Sequence, residues 1–160
     1  MDRILRFFLN GEEKTVLTRS NKTLIEVLRD GLGFYGAKEA CGHGECGACT
    51  VILDGKAVNA CLVLAAEAEG RYVETVEGLA KDGELNPLQK AFLDSGAVQC
   101  GFCTPGMLMS ATALLNENSH PCRDEIKTGL SGNICRCTGY KKIVDAVDAA
   151  ACCPEKHKPS

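Results

Sequence analysis

At 160 residues the chain has room for one ordinary domain or two small ones, and with 45% hydrophobic and 24% charged residues it reads as soluble and globular. A net charge of −3 argues against an electrostatic hold on nucleic acid or on an anionic membrane, so neither is expected as a partner. Aromatic residues are only 5% and tryptophan is absent, so cores must come from Leu, Val, Ile and Ala, and two cores of about 75 residues each would be marginal without staples.

The chain opens with Ile4 to Leu9, Asn10-Gly11, and Lys14 to Thr18, a hairpin pattern in which Asn-Gly supplies the positive-φ pair of a type I′ turn. Thr23 to Glu26 has capping-box spacing, and Leu24, Ile25 and Leu28 share a face, which predicts a short helix over 23–30 ended by Gly31 and Gly33. Thr50 to Leu53, Asp54-Gly55, and Ala57 to Cys61 predict a second hairpin, and Tyr72 to Val76 a further strand. Beyond Val76 the period changes. Asn86-Pro87 caps and opens a helix that should stop near Ser95-Gly96, and Thr104-Pro105 repeats the device for a helix running to about Asn118. Segments 123–130 and 140–151 complete four helical segments. The stretch from Gly78 to Glu84 is the expected linker, and Pro154 to Ser160 a frayed tail. No internal repeat is evident.

Eleven cysteines ask for disulfides, metal or catalytic thiols. The apolar run at the start is too short for a signal-peptide core, and no run approaches the roughly 18 residues of a membrane span, so the chain is expected in the cytoplasm. Thiols stay reduced there, and an odd count leaves one unpaired, which favours a metal framework.

Cys41, Cys46, Cys49 and Cys61 follow the C-x4-C-x2-C spacing, with a fourth ligand beyond, of plant-type 2Fe-2S sites. The glycines among them, Gly42, Gly44 and Gly47, can take up positive φ or bare backbone N–H groups toward an anionic cluster. Cys100-x2-Cys103 and Cys135-x-Cys137 form a second set of four, each pair just before an expected helix start, at Thr104-Pro105 and Thr138-Gly139, where free N–H groups favour thiolates. Structural zinc prefers wider spacing than Cys135-Arg136-Cys137 provides. Gly42-x-Gly44-x-x-Gly47 matches a dinucleotide fingerprint by letter only, because cysteines are woven through it and a strand follows. His43 would act as a Rieske-type ligand only with a second histidine on the same iron, and His120 and His157 lie in a turn and a tail. Cys122, Cys152 and Cys153 fit neither set and read as bystander thiols. No catalytic triad, phosphate loop or paired-carboxylate site stands out.

Three stretches, Lys38 to Thr50, Gln99 to Met107, and Gly132 to Tyr140, resemble the small iron–sulfur subunit, or N-terminal iron–sulfur region, of the molybdenum hydroxylases typified by xanthine dehydrogenase and aldehyde oxidase. The likeness runs from about residue 3 to 151 and fills all eight ligand positions. It implies an α+β fold: a ferredoxin-like β-grasp domain over residues 1–78 and a helical, four-helix domain over 85–160, each with one 2Fe-2S cluster. The resemblance also implies a hetero-oligomer with a molybdopterin-binding large subunit and a subunit carrying flavin as FAD. Electrons would pass from the first through both clusters to the second or to another acceptor. Gln99 stands where the family places a glutamine close to the molybdenum cofactor, and Cys137 is grouped with it as cofactor-binding; otherwise Gln99 merely precedes a ligand and caps a loop. The cluster of the second half is expected nearer molybdenum and that of the first half at the exit. A nicotinate or purine dehydrogenase is the preferred substrate class, on general likeness alone.

Two other classes compete. A free-standing ferredoxin of this size would need only the first domain and tends to be strongly acidic, so the second cysteine set and the mild charge favour a fixed subunit. A DNA-binding redox sensor would need a basic recognition helix, and none is evident.

Overall fold

The computed structural model describes residues 1–151. The first hairpin pairs β1 (Asp2–Leu9) with β2 (Glu12–Arg19) in antiparallel register from Asp2↔Arg19 to Leu9↔Glu12. Its turn is the one expected of Asn10-Gly11, with φ of 51° and 86°. A short helix, α1 (Leu24–Glu26), follows under a full capping box between Thr23 and Glu26 and then widens into a π-helical turn over Val27–Gly31. After a long glycine-rich loop come β3 (Thr50–Leu53) and β4 (Lys56–Asn59), joined by Asp54-Gly55 with φ of 47° and 82°.

The next strand, β5 (Tyr72–Glu74), lies parallel to β1 and antiparallel to β3, giving the order β2-β1-β5-β3-β4. One face of this mixed sheet buries Leu5, Phe7, Leu9, Val51, Leu53 and Val73 against Leu24, Ile25 and Leu28 of the helical segment. The outer face carries the stacked pair Phe8 and Tyr72, 4.7 Å apart.

Four helices follow: α2 (Pro87–Asp94), α3 (Thr104–Glu117), α4 (Arg123–Gly129) and α5 (Lys141–Ala151). Their core joins Leu88 and Phe92 of α2 to Met107 and Ala111 of α3, Ile126 of α4, and Ile143 and Val147 of α5. The fold is thus α+β, a ferredoxin-like sheet domain followed by a four-helix one. The expected tail, 154–160, and the thiols Cys152 and Cys153 lie outside the described residues.

Three local readings change. The stretch after Val76 is no loose tether: Val76–Gly78 forms a 3-10 turn, and Val76 and Leu79 pack on the helical core. The Asn10 side chain grips Thr75 through two hydrogen bonds, and the Glu77 carboxylate accepts the Gly36 N–H at 2.7 Å, so side chains of the sheet domain hold the connection. Secondly, α3 is capped by Cys103 rather than Thr104. The Cys103 backbone is already helical (φ −78°, ψ −15°) and its carbonyl accepts the Met107 N–H, which draws Thr104 into the first turn. Thirdly, Thr138-Gly139 does not open α5. Gly139 and Tyr140 both take positive φ, 66° and 68°, so a tight turn separates Cys137 from the helix.

The two hairpin glycines give a direct test of the turns. A Cβ at Gly11 or Gly55 would meet nothing within 4 Å, so strain in the left-handed backbone is the whole penalty. Gly11→Ala and Gly55→Ala should each lower unfolding stability by about 1–2 kcal/mol, read by denaturant titration of the holo-protein.

Candidate iron–sulfur centres

The first group of thiols sits on the loop between the π-helical turn and β3. Gly42, Gly44 and Gly47 hold it in shape with φ of 70°, 82° and 70°. The Lys38 N–H on the Ala48 carbonyl closes the loop at its base, and the Asn59 side-chain amide holds the Gly44 carbonyl from β4. Backbone N–H groups of His43, Cys46 and Glu45 converge on the Cys41 sulfur and bring its thiol down to about 6. Behind the loop, Cys49 and Cys61 are buried with their sulfurs 3.4 Å apart. Burial pushes the Cys49 thiol up to about 12. The Cys61 thiol reaches the site because the N–H of its neighbour Ala60 bonds the Cys49 carbonyl.

The second group joins the start of α3 to the turn before α5. Cys103 hydrogen-bonds Cys135, and burial, with that contact second, pushes Cys103 up to about 12. Burial works against the Cys135 thiolate, yet the Thr138 hydroxyl (3.0 Å) and N–H (3.4 Å) outweigh it and bring that thiol down. The Tyr140 hydroxyl accepts the Cys135 N–H, which fastens the turn. Cys100 and Cys137 are both exposed and hydrogen-bonded to each other, and that contact raises Cys137.

Hydrogen-bonding contacts join the sulfurs of 41 and 46, 49 and 61, 103 and 135, and 100 and 137, with weaker charge interactions of 46 with 49, 100 with 103 and 135 with 137 linking the pairs within each group. Among the described residues no three Cys, His, Asp or Glu side chains gather around one ion. A tetrahedral metal holding two thiolates at about 2.3 Å would separate their sulfurs by about 3.8 Å, close to the spacing of Cys49 and Cys61. Pairs suit a two-iron cluster, in which each iron takes two protein thiolates and the bridging sulfides supply the rest. Gln99 is exposed beside the exposed Cys100, and Cys122 is an exposed thiol at the head of α4, apart from both groups.

A feature that spacing did not reveal lies between the two groups. The buried Asn133, two residues before Cys135, donates from its side-chain amide to the Gly47 carbonyl (3.0 Å) and the Thr50 hydroxyl (3.3 Å), while Ser110 of α3 donates to its Oδ1 (2.7 Å). Next to it, the Ile134 N–H bonds the Cys46 carbonyl at 2.9 Å. Gly106, in the first turn of α3, lies so close that a Cβ would overlap the Gly47 carbonyl oxygen. The available signal was modest: an asparagine inside Gly132-Asn133-Ile134-Cys135, and a glycine in an otherwise bulky helix.

Two family models match in tandem, a 2Fe-2S iron-sulfur cluster binding domain over residues 7–80 and a [2Fe-2S] binding domain over 75–148. The chain is thus a two-cluster iron–sulfur protein. It is 51% identical to the nicotinate dehydrogenase small FeS subunit of Eubacterium barkeri, over 87% of this chain and 88% of that one. It is 53% identical to the xanthine dehydrogenase iron-sulfur-binding subunit of Escherichia coli O157:H7, over 78% of this chain and 79% of that one. A chain in the crystal structure of quinoline 2-oxidoreductase from Pseudomonas putida 86 superposes with a TM-score of 0.93 at 41% identity, covering 99% of both. The protein belongs to the family of 2Fe-2S small subunits of the molybdenum hydroxylases, the electron-transfer subunits of these oxidoreductases. It carries two 2Fe-2S clusters.

The close approach of α3 to the first loop predicts a sharp contrast between two glycines. Gly106→Ala forces a methyl group against the Gly47 backbone and should destabilise the holo-protein by about 1–3 kcal/mol in thermal unfolding. Gly132→Ala, whose Cβ would meet nothing within 4 Å, should leave the unfolding midpoint unchanged.

Proposed function

We propose that Cys41, Cys46, Cys49 and Cys61 ligate one cluster and Cys100, Cys103, Cys135 and Cys137 the other, in the electron-transfer subunit of a cytoplasmic molybdenum hydroxylase. Residues 1–78 and 85–160 are then its two cluster-binding domains. The pairing of the sulfurs carries this reading, because a 2Fe-2S cluster takes two thiolates at each of two irons. When bound, the clusters take up and release single electrons.

What the chain itself contributes is enclosure and presentation. Cys49, Cys61 and Cys135 are buried, whereas Cys100 and Cys137 are exposed, as are the apolar Phe102, Ile134 and Tyr140 close to them in sequence. Exposed apolar residues suit burial in a partner, and the partner is a molybdopterin-binding large subunit with Gln99 and Cys137 turned toward its cofactor. The first-domain loop then faces a flavin-binding subunit or another acceptor. Nicotinate or a purine is the substrate class proposed for the complex, by analogy with relatives named for nicotinate and xanthine.

The metal count is the direct test. Two clusters of two irons require four irons and four acid-labile sulfides per chain, with zinc absent, in the anaerobically purified complex. Cys122→Ser should leave that count unchanged, and loss of iron from it would mean a misassigned ligand.

The orientation has its own test. Cys→Ser changes at the first-domain site, in a complex shown to assemble, should leave the second-domain signal reducible by substrate in freeze-quench spectra and slow delivery to the acceptor. Changes at the second-domain site should abolish rapid reduction of the first. Rapid substrate reduction of the first-domain site without the second would reverse the order.

A further inference from the structure

We infer that Asn133 is a positioning residue for electron transfer between the two centres, fixing the first ligand loop against the second through the Gly47 carbonyl. The inference rests on the assignment of the eight cysteines to two clusters proposed above.

The side chain sits where both ligand-bearing segments of the helical domain meet the loop of the sheet domain. Gly47 lies between Cys46 and Cys49, Asn133 stands two residues before Cys135, and Ser110 is on the helix that begins after Cys103. One amide thus touches a segment of each of the three. Its orientation is unambiguous: the Gly47 carbonyl can only accept, so the amide nitrogen faces it and Oδ1 faces the Ser110 hydroxyl. Every strong hydrogen-bonding position of the group is used, the second N–H on Thr50 Oγ1 at 3.3 Å.

The Gly47 carbonyl in turn accepts from three donors: the Thr50 N–H at 3.1 Å, the Thr50 hydroxyl at 2.7 Å and Asn133. A buried polar network with every member satisfied holds one geometry, and partial loss of it leaves groups stranded at a cost. Glycine at 47 is required for the contact, since its φ is +70° and a Cβ would collide with the Gly132 carbonyl and sit 2.6 Å from the Asn133 amide nitrogen.

Two features bear on this role. The apolar cores of the two domains are distinct clusters, and although α3 also lies against β3 and β4, the Asn133 contacts are made beside the ligand cysteines. Gly47 and Thr50 are each next to a ligand and Ser110 stands two turns along the helix that follows Cys103, so a shift of the bridge bears first on the sulfur positions of the first loop. Transfer between redox centres falls steeply with separation, so the chain gains a defined rate by fixing the loops here.

The test uses the assembled, metal-loaded complex carrying Asn133→Ala, Asn133→Asp or Ser110→Ala, with Val147→Ala in the core of α5 as a control for lost stability alone. The readouts are iron content, the magnetic interaction between the two reduced clusters in EPR spectra, and the rate at which the first-domain signal follows the second after mixing with substrate. Asn133→Ala and Asn133→Asp should retain full iron and both cluster signals, change the spin–spin splitting and slow the inter-centre step several-fold. Asp keeps the size and an acceptor for Ser110 but has no N–H for Gly47. Ser110→Ala should move both readouts the same way by less, and Val147→Ala should move neither. Unchanged splitting and rate in Asn133→Ala, with iron retained, would overturn the positioning role and leave the cluster assignment standing. Loss of one cluster's iron and signal from Asn133→Ala but not from Asn133→Asp would equally overturn it, because the side chain would then be filling space for a cluster site. Absence of two 2Fe-2S signals in the unmodified complex would instead remove the assignment beneath it.

Discussion

A thiolate sulfur buried away from water is tolerated only where N–H groups or a bound cation meet its charge, and that constraint organises this chain. At Cys41 the loop supplies N–H groups, and the thiol falls to about 6. At Cys49 and Cys103 burial is the larger influence instead, and it pushes the thiols up to about 12. The glycine turns, the Ala60–Cys49 clamp and the Thr138 hydroxyl are the local means of delivering sulfur to such places. Two small cores of aliphatic residues gain from the bound metal the staple they lack.

The domains meet where α3 lies against β3 and β4, and the sulfur loops stand at that meeting. Ile134 to Cys46, Asn133 to Gly47 and Thr50, and Gly106 against Gly47 draw a strand-side loop, a helix start and a helix-preceding turn into one polar joint. Side chains on the connecting stretch reinforce it, with Asn10 on Thr75 and Gly36 on Glu77 holding the segment that leaves the sheet. A freely diffusing carrier would need none of this joint. A subunit that hands electrons from one fixed neighbour to another needs its two centres in constant relation, and the hydrogen bonds serve that relation.

Much of this was legible before any coordinates. Asn10-Gly11 and Asp54-Gly55 announced their turns because positive φ at paired positions leaves few alternatives, and Asn86-Pro87 announced its helix because cap and proline act locally. The cysteine spacings pointed to two sets, and the structure brings thiols of each set into hydrogen-bonding contact. What escaped was non-local. Nothing in the local sequence says that β5 will insert beside β1, that Thr104 will be absorbed into the helix Cys103 caps, or that Asn133 will reach a carbonyl 86 residues away. Tyr140 at φ 68° is a similar case, since its turn is stabilised by its own hydroxyl accepting the Cys135 N–H. Positional preferences favour Asn, Asp or Gly there, and a bond within the turn, five residues back, overrides them.

The strand order has a consequence for how the protein is made. β5 is the last strand to leave the ribosome, yet it occupies the centre of the sheet between β1 and β3. Until Tyr72 to Glu74 arrive, the two hairpins have no strand joining them, and the Phe8–Tyr72 stack on the outer face has only one ring. All four thiols of the first group are synthesised before that moment, Cys61 being the last of them. The nascent chain therefore displays all four of these sulfurs on an unfinished scaffold, and their final arrangement has to wait for a strand that carries no cysteine.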